Sequence, residues 1–208
     1  MADLKALSQA IIKGDQATAT KITQQAISEG VAPGTILEDG LIAGMNTIGI
    51  RFKANEVYIP EVLIAARAMK MAMAILEPKL IAAGVKPRGK ALMGTVQGDL
   101  HDIGKNLVMM MLKGAGFEVV DAGVDVTPEA FVAKARDSGA QVVGLSALLT
   151  TTMPSMEKTI VAIRESGLKT KVIIGGAPVT QEYATKIGAD GFAADAASAV
   201  DVAKSLLN

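Results

Sequence analysis

An N-terminal four-helix bundle joined to a C-terminal α/β domain with a five-stranded parallel sheet is the fold class this sequence predicts, and three observations predict it. Up to about residue 84, apolar residues recur at three- and four-residue spacing, the signature of amphipathic helices. From Gly84 to Lys90 the chain reads as a short linker, and after it the period changes: short apolar runs alternate with amphipathic stretches. Half of the 208 residues are hydrophobic yet only 3% are aromatic, a core chemistry that suits packed helices and a buried parallel sheet.

The bundle helices are expected at Leu4 to Ile12, Ala17 to Ile27, Ile36 to Ile50 and Val62 to Leu80. Gly14-Asp15, Gly30 with Pro33-Gly34, and Asn55 to Pro60 separate them, with Pro60 placed at a helix start. Beyond the linker, strands are expected at Ala91 to Val96, Phe117 to Val120, Val142 to Leu145, Val172 to Ile174 and Gly191 to Ala193. Helices follow at roughly 103–114, 127–138, 154–166, 179–186 and 196–207. Strands that each lead into a helix imply a doubly wound, flavodoxin-like (Rossmann-like) sheet, so the expected domains are residues 1–88 and 89–208. In such folds ligands gather at the carboxyl ends of the strands, which directs attention to the loops there.

Composition excludes several classes of chemistry. Lys plus Arg balances Asp plus Glu at 21 each, and no basic stretch supplies the footprint that a nucleic-acid backbone requires. The N-terminus lacks the apolar stretch of a signal peptide and no later run is long enough to span a bilayer, so the expectation is a cytoplasmic protein without a membrane partner. With no cysteine, disulfides, thiolate zinc sites and cysteine-held iron–sulfur clusters are ruled out. With one histidine, His101, a metal centre built from several imidazoles is ruled out too. A transition metal here would have to bring most of its own ligands.

Three loops carry candidate chemistry. After the first strand, Gly98-Asp99-Leu100-His101-Asp102-Ile103-Gly104 places the histidine at the ligand-binding edge with a carboxylate two residues before it. Such a carboxylate can fix the tautomer of a metal-bound imidazole; the alternative is that His101 caps the next helix. After the third strand, Ser146, Leu148, Thr150, Thr151 and Thr152 line the same edge, where hydroxyls could bond a polar ligand rim or simply cap the helix that opens at Pro154. After the fourth strand, Gly175-Gly176 offers a surface without side chains, suited to a large ring or nucleotide but equally normal in a strand-to-helix turn.

The order Asp99-x-His101-x-x-Gly104, Ser146-x-Leu148, Gly175-Gly176, behind a helical bundle carrying Gly44-Met45-Asn46, Met69 and the Phe52 to Pro60 region, resembles a known family. It is similar to the cobalamin-binding module of methionine synthase and, more closely, to the small corrinoid proteins of methyltransferase systems. The resemblance covers nearly the whole chain.

The resemblance implies that a cobalamin or related corrinoid binds with His101 as the lower axial ligand to cobalt, the ring supplying four nitrogens and the nucleotide tail entering the sheet domain. Gly98, Asp99, Leu100, His101, Asp102, Gly104, Ser146, Leu148, Thr150, Thr152, Gly175, Gly176 and Ala196 are the positions it assigns to the cofactor there. It makes Asp99 the partner of the imidazole and puts Thr152 where related modules have a serine bonded to that aspartate, leaving the third member of this proton relay in question. The bundle becomes a cap over the upper face, where Phe52, Ile59 and Val62 would shield the methyl group and Glu38 would approach the ring or its polar rim. The linker at 84–90 would be the hinge on which the cap moves.

Function follows from the same resemblance. The chain would take a methyl group on methylcobalamin-type cobalt from a substrate-specific methyltransferase and pass it to an acceptor-side methyltransferase serving tetrahydrofolate or coenzyme M. A reductive activation protein would keep it in service, and the chain would be a carrier without catalysis of its own. Alternatives are a cobalamin-dependent sensor, whose DNA-binding region and basic patches are missing here, and a signalling domain, whose acidic cluster is poorly matched by Asp99 and Asp102. A mutase subunit shares the sheet motif but generally lacks the bundle.

Overall fold

The computed structural model describes residues 2–207; Met1 and Asn208, the outermost residues of the two expected domains, lie outside them. The chain divides into two compact units, one comprising residues up to Pro87 together with Gly114–Gly116, the other Arg88–Lys113 and the chain from Phe117 onward.

The first unit is helical. α1 (Leu4–Lys13) starts at Asp3, whose carboxylate accepts the N–H groups of Lys5 and Ala6, and stops at Gly14 in the left-handed conformation. Asp15 caps α2 (Gln16–Ser28) in the same way through Thr18. The expected third helix, Ile36 to Ile50, is longer and is built in three pieces: α3 (Pro33–Thr35), a π-helix (Ile36–Ile42) and α4 (Ala43–Lys53). Arg51, Phe52 and Lys53 continue it because nothing in them breaks a helix. The break comes at Asn55 (φ 57°), where the Glu56 N–H returns to the Arg51 carbonyl. Phe52, beyond the expected end of that helix at Ile50, therefore stands in the last turn of α4. α5 (Ile59–Ala82) opens with Pro60 in its first turn and the Glu61 carboxylate accepting the Tyr58 N–H at 3.0 Å. Leu7, Ile11, Ile36, Leu41, Ile42, Ile48 and Leu76 form the solvent-free interior of this unit.

The second unit is a five-stranded, all-parallel sheet of order β2-β1-β3-β4-β5. Its strands are β1 (Lys90–Val96), β2 (Glu118–Val126), β3 (Val142–Ser146), β4 (Lys171–Gly175) and β5 (Gly191–Ala193). Each leads into a helix: α6 (Ile103–Gly114), α7 (Pro128–Ser138), α8 (Pro154–Glu165), α9 (Gln181–Lys186) and α10 (Ala196–Leu207). Leu92, Val96, Phe131, Val143, Leu145, Met156, Ile160, Val172 and Ile174 make a core cluster, as expected for a sheet whose strands are hidden by helices.

One strand departs from the expectation. β2 runs to Val126 instead of ending near Val120. It lies at the edge with only β1 beside it, so Asp121, Gly123 and Asp125 can reach solvent, and the apolar run that marks a central strand stops short. Its pairing with β1 slips twice, between Met93 and Gly94 and between Gly94 and Val96, each time leaving one extra residue on β2.

Candidate functional site

β1 delivers the chain to the carboxyl edge of the sheet, and the segment between it and α6 carries His101. Asp99 organises this segment. Its side chain is fully buried, and both oxygens are used. Oδ1 accepts the backbone N–H of His101 at 3.0 Å and lies 2.6 Å from the ring Nδ1. Oδ2 accepts the Leu148 N–H at 2.7 Å and the Thr152 hydroxyl at 2.8 Å, with the Leu149 N–H at 3.4 Å. One carboxylate thus ties the loop after β1 to the loop after β3.

Burial pushes the Asp99 carboxyl upward, but the N–H groups of His101 and Leu148 and the side chains of His101 and Thr152 outweigh it, holding the group far below the usual carboxylate range. An ionised Asp99 only accepts, so the proton of a neutral imidazole is drawn to Nδ1 and Nε2 is left with a lone pair. The His101 side chain is 51% exposed. The Thr152 hydroxyl also lies 2.9 Å from the Leu149 carbonyl; its single proton serves that oxygen or Asp99, one at a time.

The His101 ring bonds Asp99 and the Thr152 hydroxyl reaches the same carboxylate, while α8, whose N-cap is Met153, starts without a side-chain cap.

Other expected site residues gather on the same edge of the sheet. Ser146 and Gly175 stand in register across β3 and β4, in line with Thr95 of β1, which was not among the expected residues. Leu100 and Ile103 are 71% and 76% exposed, a costly display of apolar surface beside the histidine unless something covers it. Leu148, Thr150 and Asp102 are exposed too, and Asp102 holds Asn106 at 3.0 Å. Gly98 (φ 87°) makes the turn into Asp99, a conformation that costs other residues strain. Gly104 is different: a Cβ there would meet no protein atom within 4 Å, so it leaves an open surface next to His101. Gly176 (φ 134°) passes so close to β3 that a Cβ would sit 1.9 Å from the Ala147 carbonyl oxygen. Ala196 is buried at the start of α10, where Asp195 accepts the N–H groups of Ala197 and Ser198.

In the helical unit, Glu38 is exposed on the π-helix, Phe52 is half-buried and Ile59 is 42% exposed, whereas Val62 is fully buried on α5 in line with Ala65 and Met69. A seven-residue π-helix is rare, and such segments concentrate at functional sites.

Three positions escaped the sequence reading. The Thr95 hydroxyl, fully buried, donates to the His101 carbonyl at 2.8 Å. The Asp125 carboxylate accepts the Gly98 N–H at 2.7 Å. Lys105, 3% exposed, reaches Asp121 at 2.6 Å. The one available signal was Lys105, a lysine on the apolar face of an expected helix.

The residues fit a corrinoid. Such a group brings its own equatorial nitrogens and asks the protein for one axial base, and among the described residues no three His, Cys, Asp or Glu side chains cluster as a protein-built metal centre would need. An oriented, half-exposed imidazole beside open glycine and exposed leucine surface meets that demand.

Fold and site together are those of a corrinoid-binding protein. Comparison with known proteins agrees: residues 89–202 match the model of the B12 binding domain, and residues 3–77 match a second B12 binding domain model. The chain belongs to the B12-binding family, among the corrinoid proteins of methyltransferase systems. It is 42% identical to a corrinoid protein of Desulfitobacterium hafniense (strain Y51), over all of this chain and 98% of that one. It is 43% identical to dimethylamine corrinoid protein 3 of Methanosarcina acetivorans, over the full length of both. Among solved structures, the methanol:cobalamin methyltransferase complex MtaBC from Methanosarcina barkeri matches with a TM-score of 0.86 at 28% identity, covering 98% of this chain and 79% of that one.

Proposed function

We propose that this protein is a corrinoid methyl carrier, accepting a methyl group from a substrate-specific methyltransferase and surrendering it to a second one that serves tetrahydrofolate or coenzyme M. The single observation that carries the reading is the hydrogen-bonded series Thr152, Asp99, His101, which ends in a half-exposed imidazole. The relatives point the same way, and the name of the Methanosarcina acetivorans protein makes methylated amines the first donors to test.

His101 Nε2 would hold the cobalt from below, with Gly98, Leu100, Asp102 and Gly104 beside the ring and Ser146, Leu148, Thr150, Gly175, Gly176 and Ala196 along the path of the nucleotide tail. When bound, the corrinoid supplies a nucleophilic metal able to carry a methyl group, chemistry that no amino-acid side chain offers. The protein supplies an axial base of adjustable strength. Asp99 draws the His101 proton to Nδ1 and strengthens Nε2 as a donor, and Thr152 moderates Asp99 by giving or withholding its hydroxyl proton.

Residues 1–88 would cap the upper face, with Phe52 and Ile59 excluding water, Val62 packed behind them and Glu38 near the rim; residues 89–208 would hold the cofactor. A reductive activation protein would restore cofactor lost to oxidation. We infer a cytoplasmic site of action; among the described residues no helix is long and apolar enough to cross a membrane.

The test is the visible spectrum of protein reconstituted with hydroxocobalamin, comparing wild type with His101→Ala, and methyl uptake after reduction and addition of a methylamine with its methyltransferase. Stoichiometric binding, a histidine-dependent spectrum and methyl transfer support the carrier. A wild type that retains no corrinoid refutes it.

A further inference from the structure

We propose that the extended edge strand β2 is a clamp that positions the axial-ligand segment, with Asp125 gripping one end of Gly98–Lys105 and Asp121 the other. The inference rests on the reading of His101 as the axial ligand and adds positioning residues that the motif does not contain.

Asp125 is tied to the segment twice. Its carboxylate accepts the Gly98 N–H at 2.7 Å, and its own N–H donates to the Asp99 carbonyl at 3.0 Å. To reach both, Asp125 adopts φ 51°, one of two positive-φ residues other than glycine among the described residues. That conformation costs an ordinary residue on the order of 1 kcal/mol and aspartate rather less. It falls within the second register slip of β2, between the pairs Gly94 with Gly123 and Val96 with Val126. An extra residue in a parallel pair is uncommon, and its effect is to turn a side chain that would otherwise continue the pleat. Here it turns Asp125 toward the turn that precedes Asp99.

The other grip is made at the first slip. Lys105 is almost fully buried, and its ammonium meets Asp121 at 2.6 Å while the Gly123 N–H donates to the same carboxylate oxygen at 2.8 Å. Burial opposes ionisation of Asp121, and the Lys105 bond and the Gly123 N–H more than offset it. The two anchors are four residues apart on β2, Asp121 and Asp125, and they hold positions on either side of His101.

This arrangement holds the loop without touching the ring. Asp99 sets the orientation of the imidazole, and Asp125 sets the position of Asp99 through the backbone on both sides of it. Loss of the Asp125 grip should let the segment relax, so that the imidazole meets the metal for a smaller fraction of the time even though every motif residue is intact.

Asp125→Gly and Asp125→Asn separate the parts. Glycine relieves the positive φ but removes the acceptor, whereas asparagine tolerates the conformation and keeps a side-chain oxygen for the Gly98 N–H. Protein labelled with 15N-histidine is loaded with cobalamin, reduced to Co(II), and examined for nitrogen coupling by electron paramagnetic resonance. The chain has one histidine, so any 15N coupling comes from His101. Melting curves and the exchange rate of the Gly98 amide are measured on the cofactor-free proteins.

The expected result is full 15N coupling in the wild type, at least a threefold smaller coupled fraction in Asp125→Gly, and most of the coupling restored in Asp125→Asn. Gly98 exchange should be at least tenfold faster in the glycine variant alone. A glycine variant with wild-type coupling and wild-type Gly98 exchange overturns the clamp while leaving the carrier reading intact. A wild type that binds cobalamin without 15N coupling overturns His101 as the ligand and the clamp with it. If Asp125→Gly fails to fold, Lys105→Met takes its place, and wild-type coupling in that variant removes the second grip.

Discussion

Replacing Thr152 by valine tests the buried relay with the least disturbance of shape. The side chain is 6% exposed and nearly isosteric with valine, so packing is kept and one donor is deleted. That donor serves a fully buried carboxylate at 2.8 Å, and a hydrogen bond to a charged group contributes about 1.5–3 kcal/mol. Asp99 Oδ2 keeps the Leu148 N–H at 2.7 Å, which places the expected loss at the lower end, about 1.5–2 kcal/mol. With a urea dependence of about 1–3 kcal/mol per molar, the midpoint of the cofactor-free protein should fall by roughly 1 M. Because the chain has two units, the loss should be read from native-state hydrogen exchange of the Leu92 and Val143 amides, which lie in the core of the sheet unit. Thr152→Ser keeps the hydroxyl and should recover most of the loss. A valine variant within about 0.5 kcal/mol of wild type, or a serine variant as unstable as the valine one, would show that the hydroxyl does not hold Asp99.

Further outcomes can be checked alongside. Asp99, Asp121 and Asp190 are all held below the ordinary carboxylate value, so their contribution is complete above the unfolded value near 4 and is lost as pH falls below it. Urea midpoints should therefore be level from about pH 7 to about pH 5 and fall steadily below about pH 4, less steeply in Asp99→Asn. In Gly176→Ala the new Cβ would collide with the Ala147 carbonyl, so the loop after β4 must move; a loss of more than about 3 kcal/mol by urea unfolding is expected, together with weaker cobalamin binding by absorbance titration. Phe131→Ala, which empties a fully buried position in the sheet core, should cost about 3–5 kcal/mol in the same unfolding assay.

Much of this protein was legible in the chain itself, for physical reasons that can be named. The bundle helices, with a break at Gly14-Asp15 and a start at Pro60, announce themselves because both the apolar period and the terminating residues are local. The five strands announce themselves as short apolar runs that alternate with helices, while their order β2-β1-β3-β4-β5 is a property of the assembled sheet. His101 and Asp99 stood out because one histidine two residues from an aspartate at a strand end is a local pattern.

Features that depend on neighbours distant in sequence were decided by the tertiary structure. The local pattern of Thr152 fitted a polar rim or a cap for α8, and only the resemblance set it beside Asp99; the two meet across 53 residues because the loops after β1 and β3 are brought together by adjacent strands. Phe52 was placed beyond the third helix because the apolar period ends at Ile50, yet no breaker stands before Asn55 and the helix runs on to Lys53; the π-helix that precedes α4 has no periodic signal of its own. Val62, which the resemblance assigns to the upper face, is fully buried on α5 in line with Ala65 and Met69, and apolarity alone does not reveal that degree of burial. β2 was cut short because its polar second half resembles a loop, and only the pairing with β1 reveals a strand with two slips. Asp125 illustrates the limit: its role is set by a bulge and by the backbone of a loop 27 residues earlier, and no local pattern encodes either. What the chain determined by itself was the period, the punctuation and the one histidine; how that histidine is held was decided by which loops the sheet brings side by side.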